Sequence, residues 1–312
     1  MKKFALLAFG VVAMLFVLVG CGTDDAVGLD SINVTYVESP LNVPSIIERE
    51  RGLFADILDV EVNYSDLTAG PDQTAALASG DIDFLFAVGA TSVIQAAAGG
   101  LDIKIISTYS RAPEAFMMFS EDVELDSPED LRGLTVAGPA GTILHEMLIA
   151  YLETAGMTEN DINFVQMGIP ESYAALESGA ADLALLAGPM AFNAMQSGLN
   201  VVTNGVGLVE ATIVVATSGA FYDENPEWVE SFIEAHNEIL KFMANNHEES
   251  MEITSEVIGL DIEAVEGMFP MYDFNSEILD SDITAMEQTM QFMYANDMID
   301  TQVDISSIIL NR

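Results

Sequence analysis

Past residue 31 the chain alternates two kinds of apolar segment. Short runs rich in β-branched and aromatic residues, "INVTYV" (32–37), "DVEVNY" (59–64), "IDFLFAV" (82–88) and "IKIIS" (103–107), have the length and content of buried strands. Between them lie "VPSIIERERG" (43–52), "PDQTAALASG" (71–80) and "VIQAAAGG" (93–100), each closed by a glycine able to take positive φ, which marks helices and their ends. The same order returns with strands at 134–137, 162–167, 181–187 and 200–205 and helices at 143–156, 173–179 and 192–198. Strands alternating with helices predict an α/β fold with parallel sheets covered on both faces.

The return is also literal. "AALASGDIDFLFAVGA" (75–90) comes back as "AALESGAADLALLAGP" (174–189), a fixed spacing of 99 residues. That spacing is far above the period of a solenoid, so the repeated unit is a lobe. Asp83 and Asp182 fall at equivalent strand starts. Two segments connect the lobes, "APEAFMMF" (112–119) outward and "TIVVAT" (212–217) back, and a double crossing makes a hinge. From Pro226 the pattern turns helical, with Trp228, Phe232, Ile239 and Met243 at helical spacing, and "SDITAMEQTMQFMYANDMI" (281–299) is a late amphipathic helix capped by Ser281 or Asp282.

The first residues change the address. Lys2 and Lys3 precede an apolar run from Phe4 to Val19, too short for a spanning helix, and "LVGC" then ends on Cys21, the sole cysteine. This ending resembles the lipobox of bacterial lipoproteins, which implies lipidation of Cys21 and attachment at the extracytoplasmic face of a membrane. One cysteine forms no internal disulfide, so core packing alone stabilises the exported part. The expected organisation is a signal peptide over 1–20, a lipid-anchored tether over 21–31, a first lobe over 32–111 with 218–312, and a second lobe with the crossings over 112–217.

Charge excludes one class of partner. Nine Lys and Arg stand against fifty Asp and Glu, a net charge of −41, and the basic residues are scattered. Phosphate backbones need clustered cations, so nucleic acid is not a partner. The acidity is spread along the chain, which points to a solvated surface and an ion-rich habitat.

Enzyme chemistry finds little support in the motifs. His145 precedes Glu146, but no second His follows at zinc-protease spacing, and neither a nucleophile elbow nor a P-loop or dinucleotide glycine pattern occurs. His236 and His247 fall in C-terminal helices, and the seventeen methionines show no soft-ligand clustering. No cofactor and no metal are expected.

Taken in order, "NVPSIIERERGLFAD" (42–56), "AALASGDIDF", "SPEDLRGLTVAGPAGT" (127–142), "AALESGAADLALLAGP" and "NPEWVESFIEAHNEIL" (225–240) resemble the solute-binding proteins of ABC importers for aliphatic sulfonates, nitrate, taurine and thiamine precursors. The resemblance covers nearly all of the exported chain. It implies a type II periplasmic-binding-protein fold with the C-terminal helices on the first lobe, a small solute held between the lobes, a monomer, and a membrane permease with its ATPase as partners. Mapped onto this sequence it implies a ligand shell of Ser39, Leu41, Asn42, Thr68, Gly70, Gly89, Thr91 and Ser92 from one lobe, and Gly138, Ala140, Gly141, Thr142, Gly168, Ile169, Gly188 and Pro189 from the other.

The solute's charge stays open at this level. Arg111, at the first crossing, either binds an anion or is a solvated hinge residue. Helix N-termini can hold a small anion without a cation. Glu38, Glu171 and Glu210, near the same loops, would oppose one, and Tyr36, Tyr109, Tyr173 and Phe192 suit a neutral heterocycle such as a pyrimidine or flavin precursor. A lipoprotein that senses a ligand without transporting it is a further reading.

Overall fold

Each predicted strand forms, and four of the helices that follow, those beginning at Gly70, Ala90, Ile169 and Gly188, start one to four residues earlier than their apolar pattern suggests. The computed structural model describes residues 29–38, 41–121, 125 and 127–310. The leader, Cys21 and Ser39 lie outside the described residues. Contacts divide the chain into Met1–Asp30 and Ser31–Arg312, and the described strands and helices belong to the second unit.

The first half runs β1 (Ser31–Tyr36), α1 (Val43–Arg51), α2 (Leu53–Leu58), β2 (Glu61–Asp66), α3 (Gly70–Ser79), β3 (Phe84–Gly89), α4 (Ala90–Ala98) and β4 (Ile103–Arg111). The second runs β5 (Phe116–Ser120), β6 (Thr135–Gly138), α5 (Ile143–Glu153), β7 (Asn163–Gln166), α6 (Ile169–Glu177), β8 (Leu183–Ala187), α7 (Gly188–Gln196) and β9 (Asn200–Asn204). The chain closes with β10 (Thr212–Ser218), α8 (Gly219–Glu224), α9 (Pro226–Asn245), α10 (His247–Ile258), α11 (Ile262–Met268), α12 (Asp280–Ala295) and α13 (Ile305–Ile308).

Two five-stranded sheets result, ordered β2-β1-β3-β10-β4 and β7-β6-β8-β5-β9. They share one plan, and this departs from the expected all-parallel sheets. Each crossing segment is itself a strand, inserted antiparallel as the fourth strand of the sheet it enters: β5 between β8 and β9, β10 between β3 and β4. Residues 212–217, expected at the end of the second lobe, therefore pair within the first sheet.

The literal repeat has a structural reason. Asp83 accepts the backbone N–H of Asn33 at 2.8 Å, and Asp182 accepts that of Thr135 at 2.8 Å, so the same carboxylate clasps the central strand pair in both sheets. The glycine before each, Gly80 at φ +80° and Gly179 at φ +70°, turns the chain through the left-handed region that a side chain disfavours.

The first sheet's core is aromatic. Phe232 of α9 stacks on Phe84 at 3.9 Å between centroids, and Phe54, Phe86, Tyr109 and His236 pack edge-on or face-on around them. On the opposite side Met286, Met290 and Met293 of α12 pack with Leu85, Val88 and Ile105. The α12 N-terminus differs from expectation. The helix starts at Asp280, and Asp282, three residues past the cap, accepts the N–H of Leu279 at 2.7 Å.

Candidate functional site

Six helices begin where strands end: α1 after β1, α3 after β2, α4 after β3, and α5, α6 and α7 after β6, β7 and β8. A helix leaves its first N–H groups unpaired, and side chains at the cap usually take some of them. Here none of the six caps, Asn42, Ala69, Gly89, Thr142, Gly168 and Ala187, accepts a side-chain capping bond. These ends converge on one cavity of about 460 Å³, whose lining includes Asn42, Gly70, Gly89, Thr142, Gly168 and Pro189. Proline in the first turn of α1, α3, α6 and α7 removes an N–H from each, while α4 and α5 keep their full set. The arrangement is an anion-binding geometry built from backbone, strongest between α4 and α5.

Close backbone approach shapes the walls. A methyl group on Gly70 would stand 2.2 Å from Ser92 Oγ, so only glycine lets α3 lie this near α4. Ser92 Oγ donates to Gly141 O at 2.9 Å, joining α4 of the first sheet to the β6–α5 loop of the second. Beside it Thr91 donates to Glu146 of α5 at 2.6 Å. Burial pushes the Glu146 carboxyl above its usual range, opposed by hydroxyls from Thr91 and Thr289. Ala87, at φ +79° on β3, sits where the register with β10 shifts, and this bulge brings its side chain to the cavity wall.

Of the residues singled out in the sequence, Asn42, Thr68, Gly70, Gly89, Ser92, Thr142, Gly168, Ile169 and Pro189 line the cavity. Leu41, Thr91, Gly138, Ala140, Gly141 and Gly188 are not part of that lining: Leu41 is fully buried and Gly138 packs on Leu185. Arg111 does not reach the cavity. Its guanidinium binds both carboxylate oxygens of Asp282, at 2.6 and 2.5 Å, and also meets Asp273. Tyr36, Tyr109, Tyr173 and Phe192 are absent from the lining, as is Glu210, whereas Glu38 and Glu171 belong to it. Among the described residues no Lys, Arg or His lines the cavity.

Sequence reasoning missed Gln73, Phe116, Ile143, Met190, Ile213, Val257 and Ile258, all part of the wall. Gln73 is 2% exposed and its Oε1 has no hydrogen-bond partner. It reads in the sequence as one more polar helix residue, and only its place in the first turn of α3 hints at a role. Val257 and Ile258 come from α10, far away in sequence, and no local signal places them here.

Residues 40–250 match the family model described as NMT1/THI5 like. The chain belongs to that family. A curated relative from Bacillus subtilis, named a putative aliphatic sulfonates-binding protein, is 26% identical over 96% of this chain and 93% of its own length. A formylaminopyrimidine-binding protein from Halalkalibacterium halodurans is 28% identical over 58% of this chain and 55% of its own. Among solved structures, the alkanesulfonate-binding protein from Xanthomonas axonopodis pv. citri bound to MOPS superposes with a TM-score of 0.84 at 20% identity, covering 92% of this chain and 100% of that one. This family member therefore has the periplasmic-binding-protein fold. The fold alone does not decide chemistry, since a desulfurization enzyme shares it at a TM-score of 0.69 and 14% identity, over 91% of this chain and 97% of that one.

Proposed function

We propose that this NMT1/THI5-like protein is the extracytoplasmic solute-binding component of an ABC importer, and that it captures a small organic acid of the sulfonate type between its two sheets. The observation that carries the reading is the convergence of six helix N-termini, uncapped by side chains, on one cavity lined largely by apolar side chains. Sulfonate oxygens accept the free N–H groups, and Phe116, Ile143, Met190 and Ile213 cover the carbon skeleton. The names of the relatives support the same class.

The remaining parts follow from this role. Cys21 carries the lipid anchor, residues 32–111 with 212–312 supply one lobe and 112–211 the other, and the crossings after Arg111 and before Thr212 act as the hinge. A permease and its ATPase receive the closed, loaded form. Binding without catalysis is supported by how the wall's hydroxyls are used: Ser92 donates to Gly141 O and Thr142 to Pro139 O at 2.8 Å, and among the described residues no His or Cys stands in the lining. Among the described residues no helix is long and apolar enough to cross a membrane.

A thermal-shift series tests the assignment on the purified protein, with alkanesulfonates, aminoalkanesulfonates, nitrate, pyrimidines and flavins as probes. A sulfonate at one hundred times its Kd is expected to add about 2.7 kcal/mol of stability. Stabilisation by a pyrimidine or flavin, with none by any sulfonate, would replace the acid by the neutral heterocycle that Phe116 and the apolar wall also suit.

A further inference from the structure

Glu146 lies in the first turn of α5, yet its side chain is seated on the other half of the molecule. It is 5% exposed, takes the hydroxyl of Thr91 in α4 at 2.6 Å and a second hydroxyl from Thr289 in α12, and is not part of the cavity lining. Both partners stand on helices of the first sheet, since Val93 and Ile94 of α4 share a core with Met286, Met290 and Met293 of α12. The Ser92–Gly141 bond lies next to this contact, and at the far end of α5 Asn296 Nδ2 donates to Glu153 at 2.8 Å. A buried carboxyl of one half therefore occupies a hydroxyl socket of the other.

Parting the halves returns Glu146 to water, where a carboxyl ionises in the ordinary range. Closing them strips that water away, and two hydroxyls do not fully replace it. Burial is the dominant influence and holds the seated carboxyl above its usual range, against the lowering effect of the Thr91 and Thr289 bonds. A hydroxyl accepts as well as donates, so the socket also suits the neutral acid: Thr91 donates to one oxygen while Thr289 turns to accept the carboxyl proton. A bound solute pushes the same way. Glu146 bridges the first turns of α4 and α5, and an acid on their N–H groups is a like charge beside it, which favours the neutral form further.

The charged neighbours are engaged elsewhere. The strands β5 and β8 and the helix α4, which pack on α5, carry no titratable side chain. The 3-10 turn Pro128–Leu131 brings Glu129 and Asp130, which act on Tyr151 near the other end of α5. On α5 itself His145 faces Phe164 and Glu159, and Glu153 meets Asn296. On α12 Asp282 is held by Arg111, while Asp280, Glu287 and Tyr294 are exposed.

We propose that Glu146 is a latch between the two halves that seats as a carboxylic acid, so that capture of an anionic solute takes up a proton and tightens as the medium acidifies. The proposal rests on the two-lobe capture reading above and adds the residue that couples closure to pH. The closed form binds the extra proton, so the gain in affinity is full below the ordinary carboxyl range and is lost as pH rises through the value of the seated group.

Calorimetric titration of the purified protein with propanesulfonate, repeated in buffers of different ionisation enthalpy, counts the protons exchanged on binding. The sulfonate stays ionised throughout, so any proton taken up is the protein's. The expected result is at least about half a proton per solute at some pH between about 5 and 7, with affinity falling about threefold per pH unit there. Glu38 and Glu171 in the lining, and His145, are common to parent and variant, so the difference decides: Glu146→Gln, permanently neutral, is expected to lose most of the uptake and to flatten the profile. Thr289→Val removes a bond that favours the charged form and is expected to move the uptake to higher pH. No uptake in the parent, or equal uptake in Glu146→Gln, overturns the latch and leaves the capture reading standing. Should propanesulfonate not bind, the small-acid reading falls and the radius of gyration of the solute-free protein decides the latch: a smaller value at about pH 5 than at about pH 8 in the parent, constant in Glu146→Gln, supports it, and no change or the same change in both overturns it. Should Glu146→Gln fail to fold, the direction of the Thr289→Val shift decides, an unmoved profile overturning the latch.

Discussion

Glu48 is a carboxyl that folding moves out of water. It faces the core of α1, 1% exposed, and accepts from Tyr64 Oη at 2.7 Å and from Phe54 N at 3.2 Å. Burial outweighs these bonds and pushes its pKa up to about 7 from 4.5. Between those two values the native state holds a proton that the unfolded state has lost, so stability falls as pH rises through this window and is fullest below it. The shift corresponds to roughly 3 kcal/mol. Glu48→Gln keeps both acceptor bonds without the charge. It is expected to match the parent in urea denaturation at about pH 4.5 and to exceed it by about 3 kcal/mol near pH 8, both in the same salt. A constant difference across that range would mean that Glu48 is ionised in the fold throughout. His236 sets the opposite limb. Fully buried among Phe86 and Tyr109, its ring is pushed down to about 3 from 6.5, so it contributes stability above 6.5 that is lost as pH falls towards 3.

At the scale of elements, one side chain ties β4 to α12. Asp282 is 3% exposed, and Arg111, at the end of β4, meets both its oxygens, while Asp282 also holds the first turn of α12 through Leu279 N. Arg111→Ala leaves that carboxylate buried and unpaired, which is expected to cost about 3 kcal/mol. Because Arg111 stands outside the cavity, the affinity for solute is expected to change by less than about threefold once the variant is folded; Arg111→Ala with Asp282→Asn recovers most of the loss. Melting curves and calorimetry on the same samples separate the two effects. The position also shows where sequence reasoning loses reach. Arg111 abuts a crossing in the chain, yet its partner lies 171 residues away and turns it from the cleft. The central strands were legible from period and β-branched content, and the repeat of Asp83 as Asp182 exposed the duplicated plan. That "APEAFMMF" and "TIVVAT" would each insert antiparallel into a sheet was not legible, because a short apolar run carries no mark of a distant partner. The same holds for the site. Thr91, Ser92, Ile169, Gly188 and Pro189 were found as loop residues but are the first turns of α4, α6 and α7. Gln73, Val257 and Ile258 were missed because their neighbours are set by packing.

For the whole molecule the charge balance governs behaviour in solution. The six described cations Arg49, Arg51, Lys104, Arg111, Arg132 and Lys241 are each ion-paired, so none is left to neutralise the rest of a net charge of −41. Like charges on one surface oppose compaction, and salt removes that opposition as the Debye length shrinks from about 30 Å at 0.01 M to about 3 Å at 1 M. The melting temperature is therefore expected to climb by at least about 5 °C between dilute buffer and molar NaCl, about 2 kcal/mol for a domain of this size. The buried Arg111–Asp282 pair is far less accessible to ions, so the melting deficit of Arg111→Ala should persist across the same salt range while the parent curve moves. The field acts on capture as well. A singly charged anion approaching this surface is repelled and its association rate should rise with salt, whereas a zwitterion feels little net force and should associate at a nearly constant rate. Stopped-flow binding of propanesulfonate and aminoethanesulfonate at low and high salt distinguishes them: parallel salt dependences would place the cavity's entrance outside the influence of the acidic surface, and divergent ones would show that the charge of the whole chain discriminates between solutes before they reach the cavity.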